Sequence, residues 1–253
     1  MVTGVVGGTG MVGSEVVNLL AGSDSDEVRV LTRTAPSSMA GNVTHHAIDL
    51  STGAGLKEGL AGLDVLIDTG NPRKAPQKTL VEGTRTLIEL CRDASIDHYI
   101  GISIIGCETS GIGYYKAKTA QEGVIREAPI GWSLLRATQF HQLLDTLFTS
   151  TARLRISPRA DFPVQPVEAL EAAKVLVEMA KSGPANADVD LVGPEVKSLN
   201  DFGKMWREHH KRRAMPVRLP LIGRTGKALK NGDLTIPGKT GPGPTFAEWL
   251  NAS

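Results

Sequence analysis

Gly7-Gly8-Thr9-Gly10-Met11-Val12-Gly13 stands between a β-branched run, Val2-Thr3-Gly4-Val5-Val6, and a stretch in which Val12, Val16, Val17 and Leu20 recur at helical spacing. No other feature restricts the fold as strongly. The glycines satisfy G-x-G-x-x-G at 8, 10 and 13 and G-x-x-G-x-x-G at 7, 10 and 13. Both patterns let a strand turn sharply into a helix and let backbone N–H groups approach an anion with no Cβ in the way. The helix N-terminus adds its partial positive charge. Glycine-rich turns are common for steric reasons alone, so the strand before and the helix after are what make this one a dinucleotide cradle. Gly7, Thr9, Gly10, Met11, Val12 and Gly13 are therefore expected to bind the cofactor.

Short β-branched runs alternate with longer helical patterns over the first half of the chain, the rhythm of parallel βαβ units. Strands are expected near Val2–Gly7, Val28–Leu31, Thr44–Ile48, Val65–Asp68, His98–Ser103 and Gly131–Arg136. Helices are expected near Met11–Ala21, Gly55–Gly62, Gln77–Ala94 and Tyr114–Glu127. In the third of these, Leu80, Val81, Thr84, Leu87, Ile88 and Cys91 form one buried face. Beyond Phe140 the pattern loosens into a helix through Leu143-Leu144, an irregular stretch at Ser157-Pro158, a helix near Val167–Met179 and a strand at Val189–Val192. From Gly193 the composition shifts toward Pro, Gly and basic residues, up to an amphipathic turn at Thr245–Leu250. The fold class is α/β: a doubly wound parallel Rossmann sheet with helices on both faces and a small C-terminal substrate lobe. Residues 1–192 form the NAD(P)-binding domain and 193–253 the lobe, with segments 104–113 and 139–166 lining a substrate pocket.

Charge excludes several partner classes. Lys+Arg 28 against Asp+Glu 27 gives a net charge of +1, no long-range field for nucleic acid or an anionic membrane. Cys91 and Cys107 are the two cysteines, too few for a disulfide framework, which fits a reducing cytoplasm. Neither a secretory leader nor a membrane span is apparent, so a soluble cytoplasmic protein is expected. No metal is expected: the adjacent pairs His45-His46 and His209-His210 point their side chains apart on a strand or a helix. The basic run His209-His210-Lys211-Arg212-Arg213 reads as a solvated face or as an attractor of anions.

An NAD-binding fingerprint places an acid about 20 residues beyond the glycines, at the end of the second strand. Asp24, Asp26 and Glu27 precede that strand, and Leu31-Thr32-Arg33-Thr34 ends it. A guanidinium there pairs with a 2′-phosphate where an acid would repel it, so Arg33 favours NADP, with NAD still possible. Tyr114 and Lys118 lie four residues apart on one helix face. An ammonium near a phenol favours the phenolate and brings proton donation to a carbonyl closer to neutral pH. Ser103, ending the fifth strand, is placed to orient a substrate oxygen. The plainer alternative for the pair is a half-buried ring beside a solvated charge.

The chain resembles the atypical short-chain dehydrogenase/reductases, especially the NmrA-like NAD(P)-binding proteins, over nearly its whole length. The resemblance is carried by the glycine turn, Val30-Leu31-Thr32-Arg33, Ile48-Asp49-Leu50, Val81-Glu82-Gly83-Thr84, Tyr114-Tyr115-Lys116-Ala117-Lys118 with Glu122, Leu135-Arg136-Ala137-Thr138-Gln139-Phe140, and Thr245-Phe246-Ala247-Glu248-Trp249-Leu250. It implies that Asp49 and Leu50 border adenine, that Thr69 and Gly70 pass the ribose, that Ala137 lines the cofactor, that Lys118 bonds the nicotinamide ribose and that Tyr114 is the acid. Asp68-Thr69-Gly70-Asn71 departs from the usual Asn-Asn-Ala-Gly. The implied function is an NADP(H)-dependent oxidoreductase acting on a small carbonyl, quinone or enone. Two other functions share the scaffold: a non-catalytic NADP(H) redox sensor or regulator, and a nucleotide-sugar epimerase or dehydratase. The expected partner is a small-molecule substrate, with a homodimer or a regulatory protein as further possibilities.

Overall fold

Val2-Thr3-Gly4-Val5-Val6 is followed at once by glycines, so the chain leaves an extended segment and re-enters as a helix within a few residues. A computed structural model describes residues 1–22, 27–36, 38–71 and 75–252. Asp24 and Asp26 lie outside the described residues. In chain order the elements are β1 (Val2–Val6), α1 (Met11–Ala21), β2 (Glu27–Thr32), β3 (Val43–Ala47), α2 (Leu56–Leu60), β4 (Val65–Asp68), a π-helical segment Gln77–Glu82 continuing into α3 (Gly83–Asp93), β5 (His98–Ile104), α4 (Gly113–Arg126) and β6 (Gly131–Ala137). Then follow α5 (His141–Ala152), β7 (Ile156–Arg159), β8 (Pro163–Val164), α6 (Ala169–Ser182), β9 (Ala187–Leu191), β10 (Lys197–Ser198), α7 (Leu199–His209), β11 (Met215–Arg218), α8 (Gly223–Asn231) and α9 (Phe246–Ala252).

A seven-stranded sheet runs in the order β3-β2-β1-β4-β5-β6-β9, parallel through the pairings from β3 to β5. Val6 lies opposite Leu31 on one side and Asp68 on the other. The order reverses between β1 and β4, and ligands of open α/β sheets bind at the carboxyl ends of the strands at such a switch. Every residue of β4 is buried, as expected of a parallel strand covered on both faces. Leu80, Val81, Thr84, Leu87, Ile88 and Cys91 are buried as their spacing predicts. Leu87, Ile88 and Cys91 join a core with Leu31, Leu66, Tyr99 and Leu134, and burial pushes the Cys91 thiol up to about 12, so it packs as an inert apolar group.

The chain forms two compact units. The first comprises Met1–Ser103, Lys116–Arg136 and Ala172–Val189, and the second Ile104–Tyr115, Ala137–Glu171 and Asp190–Ser253. The second has its own core of Leu144, Phe148, Phe202, Trp206, Phe246 and Leu250, with Phe202 edge-on to Phe246 at 5.4 Å. α7 is started by a capping box in which the Ser198 side chain accepts from the Asp201 amide and the Asp201 carboxylate accepts from the Ser198 amide. Ser157-Pro158, read from sequence as irregular, belongs to β7, which pairs in parallel with β11. Among the described residues no helix is long and apolar enough to cross a membrane.

His98 opens β5 buried, its Nε2 2.9 Å from Ser133 Oγ and its Nδ1 without a partner among the described residues. Burial pushes its pKa from 6.5 down to about 4. The unfolded chain therefore takes up this proton near pH 6.5 while the folded chain resists it until about 4, so stability is lost as pH falls through that window. Between pH 7 and 4.5 this residue is expected to cost about 2 kcal/mol. Urea midpoints at the two pH values should draw together in His98→Leu, and an equal drop in both chains would overturn the assignment.

Candidate functional site

Gly7 takes φ +72°, a conformation that favours glycine. A Cβ there would lie 3.1 Å from the Gly70 backbone. One on Gly13 would lie 2.3 Å from the Gly7 carbonyl oxygen and 2.6 Å from the Thr69 hydroxyl. The turn after β1 and the turn after β4 are thus pressed together. Thr69 reinforces the seam, its amide and hydroxyl both donating to the Val6 carbonyl at 3.0 and 2.7 Å. Gly10 N donates to Gly7 O at 2.8 Å and Ser14 N to Gly10 O at 2.9 Å, which starts α1 at Met11. Among the described residues no side chain caps this end, and its first turn holds no acid. The amides of Met11, Val12 and Gly13 thus have no intrahelical acceptor and the helix dipole is not neutralised, an arrangement that fits a pyrophosphate.

Arg33 follows β2 with its side chain exposed. Thr32 shapes that turn by donating its hydroxyl to Thr34 O at 2.8 Å, with His45 Nε2 3.1 Å from Thr32 O. Asp49 accepts from the Ser51 hydroxyl at 2.7 Å and the Ser51 amide at 2.8 Å, and these bonds, with a smaller contribution from Arg33, hold its carboxyl below the usual range. Leu50 approaches both Gly70, its Cδ1 3.5 Å from where a Cβ would stand, and Gly83, at 3.6 Å. The structure therefore brings Gly7, Gly13, Leu50, Thr69 and Gly70 together.

Lys118 is buried in α4, 3 % exposed, its Nζ donating to Ile102 O at 3.0 Å and to Gln121 Oε1 at 2.9 Å. The next residue on β5, Ser103, is equally buried, and its hydroxyl has no hydrogen-bond partner among the described residues. Such an orphan costs about 1–3 kcal/mol unless a ligand satisfies it. Tyr114 lies on α4 one turn ahead of Lys118, half-buried, its ring 5.7 Å from that of Tyr115. Tyr114 and Ala137 fall in the second unit, where Ala137 is buried and its carbonyl accepts from Ile105 N at 3.0 Å.

Sequence reasoning missed a set of buried polar side chains behind Lys118. Gln121 Nε2 donates to Thr84 Oγ1 at 2.8 Å, the Thr84 hydroxyl bonds to the Tyr99 phenol, and Tyr99 donates to Asp68 Oδ2 at 2.6 Å. Gly70 N donates to the other oxygen, Asp68 Oδ1, at 2.9 Å. Burial raises the Asp68 carboxyl above its ordinary value, opposed by the Tyr99 and Gly70 bonds and by the positive Lys118. The available signal was polar residues on faces otherwise apolar: Thr84 among Leu80, Leu87 and Ile88, and Gln121 after Lys118.

Other candidates have structural work. Gln139 donates to Leu234 O at 2.9 Å, its Oε1 accepts from Gln165 N at 3.1 Å, and His141 Nε2 lies 3.0 Å from Pro244 O, so these two side chains pin loops of the second unit. Glu122 is buried against Arg126 at 3.0 Å. Cys107 is buried in a short turn. Among the described residues no cluster of His, Cys, Asp or Glu is placed to hold a metal ion.

A family model described as NAD(P)H-binding matches residues 7–182. No curated protein matches by sequence. The fold is shared with an NADPH-dependent quinone oxidoreductase of Escherichia coli complexed with NADPH, at TM-score 0.83 and 16 % identity over 100 % of this chain and 99 % of that one. It is also shared with the Citrobacter sp. triphenylmethane reductase complexed with NADP(H), at TM-score 0.80 and 17 % identity over the whole of both chains. A nucleoside-diphosphate-sugar epimerase of Staphylococcus aureus is similar at TM-score 0.81 and 13 % identity over 99 % of each chain.

Gly13→Ala forces its methyl into the Gly7 carbonyl. It is expected to cost about 1–3 kcal/mol of stability and to weaken dinucleotide binding about ten-fold or more. Chemical denaturation and fluorescence titration check both, and a wild-type result in each would overturn the reading of the seam.

Proposed function

Since the chain belongs to the NAD(P)H-binding family matched over residues 7–182, we propose that it is an NADP(H)-dependent oxidoreductase acting on a small carbonyl, quinone or enone. The observation that carries this reading is Ser103, whose buried hydroxyl lacks a partner among the described residues, one residue beyond the carbonyl that fixes the Lys118 ammonium. A substrate oxygen would satisfy that hydroxyl.

The α1 N-terminus, with Gly7, Thr9, Gly10, Met11, Val12 and Gly13, holds the pyrophosphate. Arg33 grips the 2′-phosphate with its planar fork, and among the described residues no acid follows β2 to claim free ribose hydroxyls. The NADPH and NADP(H) complexes of the two reductases sharing this fold favour the same choice. Asp49 and Leu50 border the adenine, Thr69 and Gly70 pass the ribose, and Ala137 lines the cofactor. When bound, the reduced nicotinamide supplies a hydride. Lys118 bonds the nicotinamide ribose and favours the phenolate of Tyr114, Tyr114 donates a proton to the substrate oxygen, and Ser103 orients that oxygen.

Tyr114→Phe is expected to lower turnover about 100-fold or more while NADPH affinity stays near wild type. Steady-state rates with a carbonyl and quinone panel, alongside fluorescence titration, read both. A mutant as fast as wild type would remove Tyr114 from the mechanism, and a wild-type chain that binds NADPH but reduces nothing on the panel would favour a sensing role. Arg33→Ala should weaken NADPH binding about 10- to 100-fold and leave NADH binding nearly unchanged. Equal loss for the two cofactors would overturn the 2′-phosphate assignment.

A further inference from the structure

The buried side chains behind Lys118 form one directed series. Lys118 Nζ donates to Gln121 Oε1, Gln121 Nε2 to Thr84 Oγ1, Thr84 to the Tyr99 phenol, and Tyr99 to Asp68 Oδ2, while Gly70 N donates to Asp68 Oδ1. Lys118, Gln121, Thr84, Tyr99 and Asp68 are each at least 96 % buried. They come from α4, α3, β5 and β4, and all belong to the first unit. Every link passes its proton donor in the same direction, from an ammonium at one end to a carboxylate at the other. In a low-dielectric interior, bonds aligned head to tail polarise and strengthen one another. The positive Lys118 opposes, as the smallest contribution, the rise that burial imposes on the Asp68 carboxyl.

The two ends are not arbitrary places. One is the ammonium assigned above to the nicotinamide ribose, and the other is the amide of Gly70, in the turn assigned to pass the same ribose. We propose that Gln121, Thr84, Tyr99 and Asp68 are positioning residues that lock Lys118 and the Asp68–Thr69–Gly70 turn into one preset arrangement for the nicotinamide half of the dinucleotide. The proposal rests on the cofactor reading of the preceding subsection. It assigns the series no contact with the adenosine half, which belongs to Arg33, Asp49 and Leu50. Fixing both groups before binding removes the ordering cost that a mobile lysine would otherwise impose.

Thr84 is the link best suited to a test, because two near-isosteric changes separate hydrogen bonding from packing. Thr84→Val keeps the shape and loses the hydroxyl, and Thr84→Ser keeps the hydroxyl and loses a methyl group. Dissociation constants for NADPH and for 2′,5′-ADP, which carries only the adenosine half, are measured on wild type and both variants. Thr84→Val is expected to weaken NADPH about ten-fold with 2′,5′-ADP unchanged, and Thr84→Ser to bind both as wild type does. NADPH affinity unaltered in Thr84→Val, equal losses in the two variants, or parallel losses for the two ligands would each overturn the proposal. These readouts need no turnover. A wild-type chain that binds neither ligand removes the cofactor reading and this proposal together, whereas wild-type binding of both with no effect of Thr84→Val removes this proposal alone.

Discussion

Between the carbonyl of Gly7 and the α-carbon of Gly13 there is no room for a methyl group. Everything at the carboxyl edge of the sheet depends on that closeness. It lets α1 begin immediately beyond β1, brings the Thr69 hydroxyl onto the Val6 carbonyl, and sets the Gly70 backbone against Gly7. Among the described residues no side chain caps α1 and its first turn holds no acid, which leaves its first amides for an anion. The switch in strand order between β1 and β4 supplies the opening above them.

What could be read ahead of the structure was what is encoded locally. β1, β4 and α1 follow from β-branched runs, glycine boundaries and helical periodicity, and their limits fall within a residue of those expected. The helix through Thr84 was expected as one regular element. It instead begins with π-helical turns at Gln77–Glu82, yet the buried face is the one its apolar spacing indicates. β7 was hidden because Pro158 interrupts a four-residue run and its partner β11 lies some sixty residues away. α7 was legible in principle, since Ser198 and Asp201 spell a capping box, but the basic residues that follow drew the reading toward a solvated face.

Of the candidate site, the glycine turn is a sequence-local object, while Arg33 and the spacing of Tyr114 and Lys118 needed only the order of strands and helices. The partners of Lys118 needed the whole topology. Asp68, Thr84, Tyr99 and Gln121 are scattered over more than fifty residues, and each alone is an ordinary polar residue inside an apolar segment. Only the parallel stacking of β4 beside β5, with α3 and α4 packed on it, makes them neighbours. In the second unit the amides of Gln139 and Gln165 do related work, tying backbone groups of Gly193, Leu234, Ile236 and Lys239 where no regular ladder reaches them.

The directed series from Lys118 to Asp68 carries a consequence for how this sequence can drift. Each interior link must both give and take a hydrogen, so glutamate at 121 or phenylalanine at 99 breaks the run, however well it fills the volume. Such positions behave like components wired in series: one substitution interrupts the whole, and a second elsewhere does not mend it. These few interior letters can therefore change only by near-synonyms, as serine for threonine.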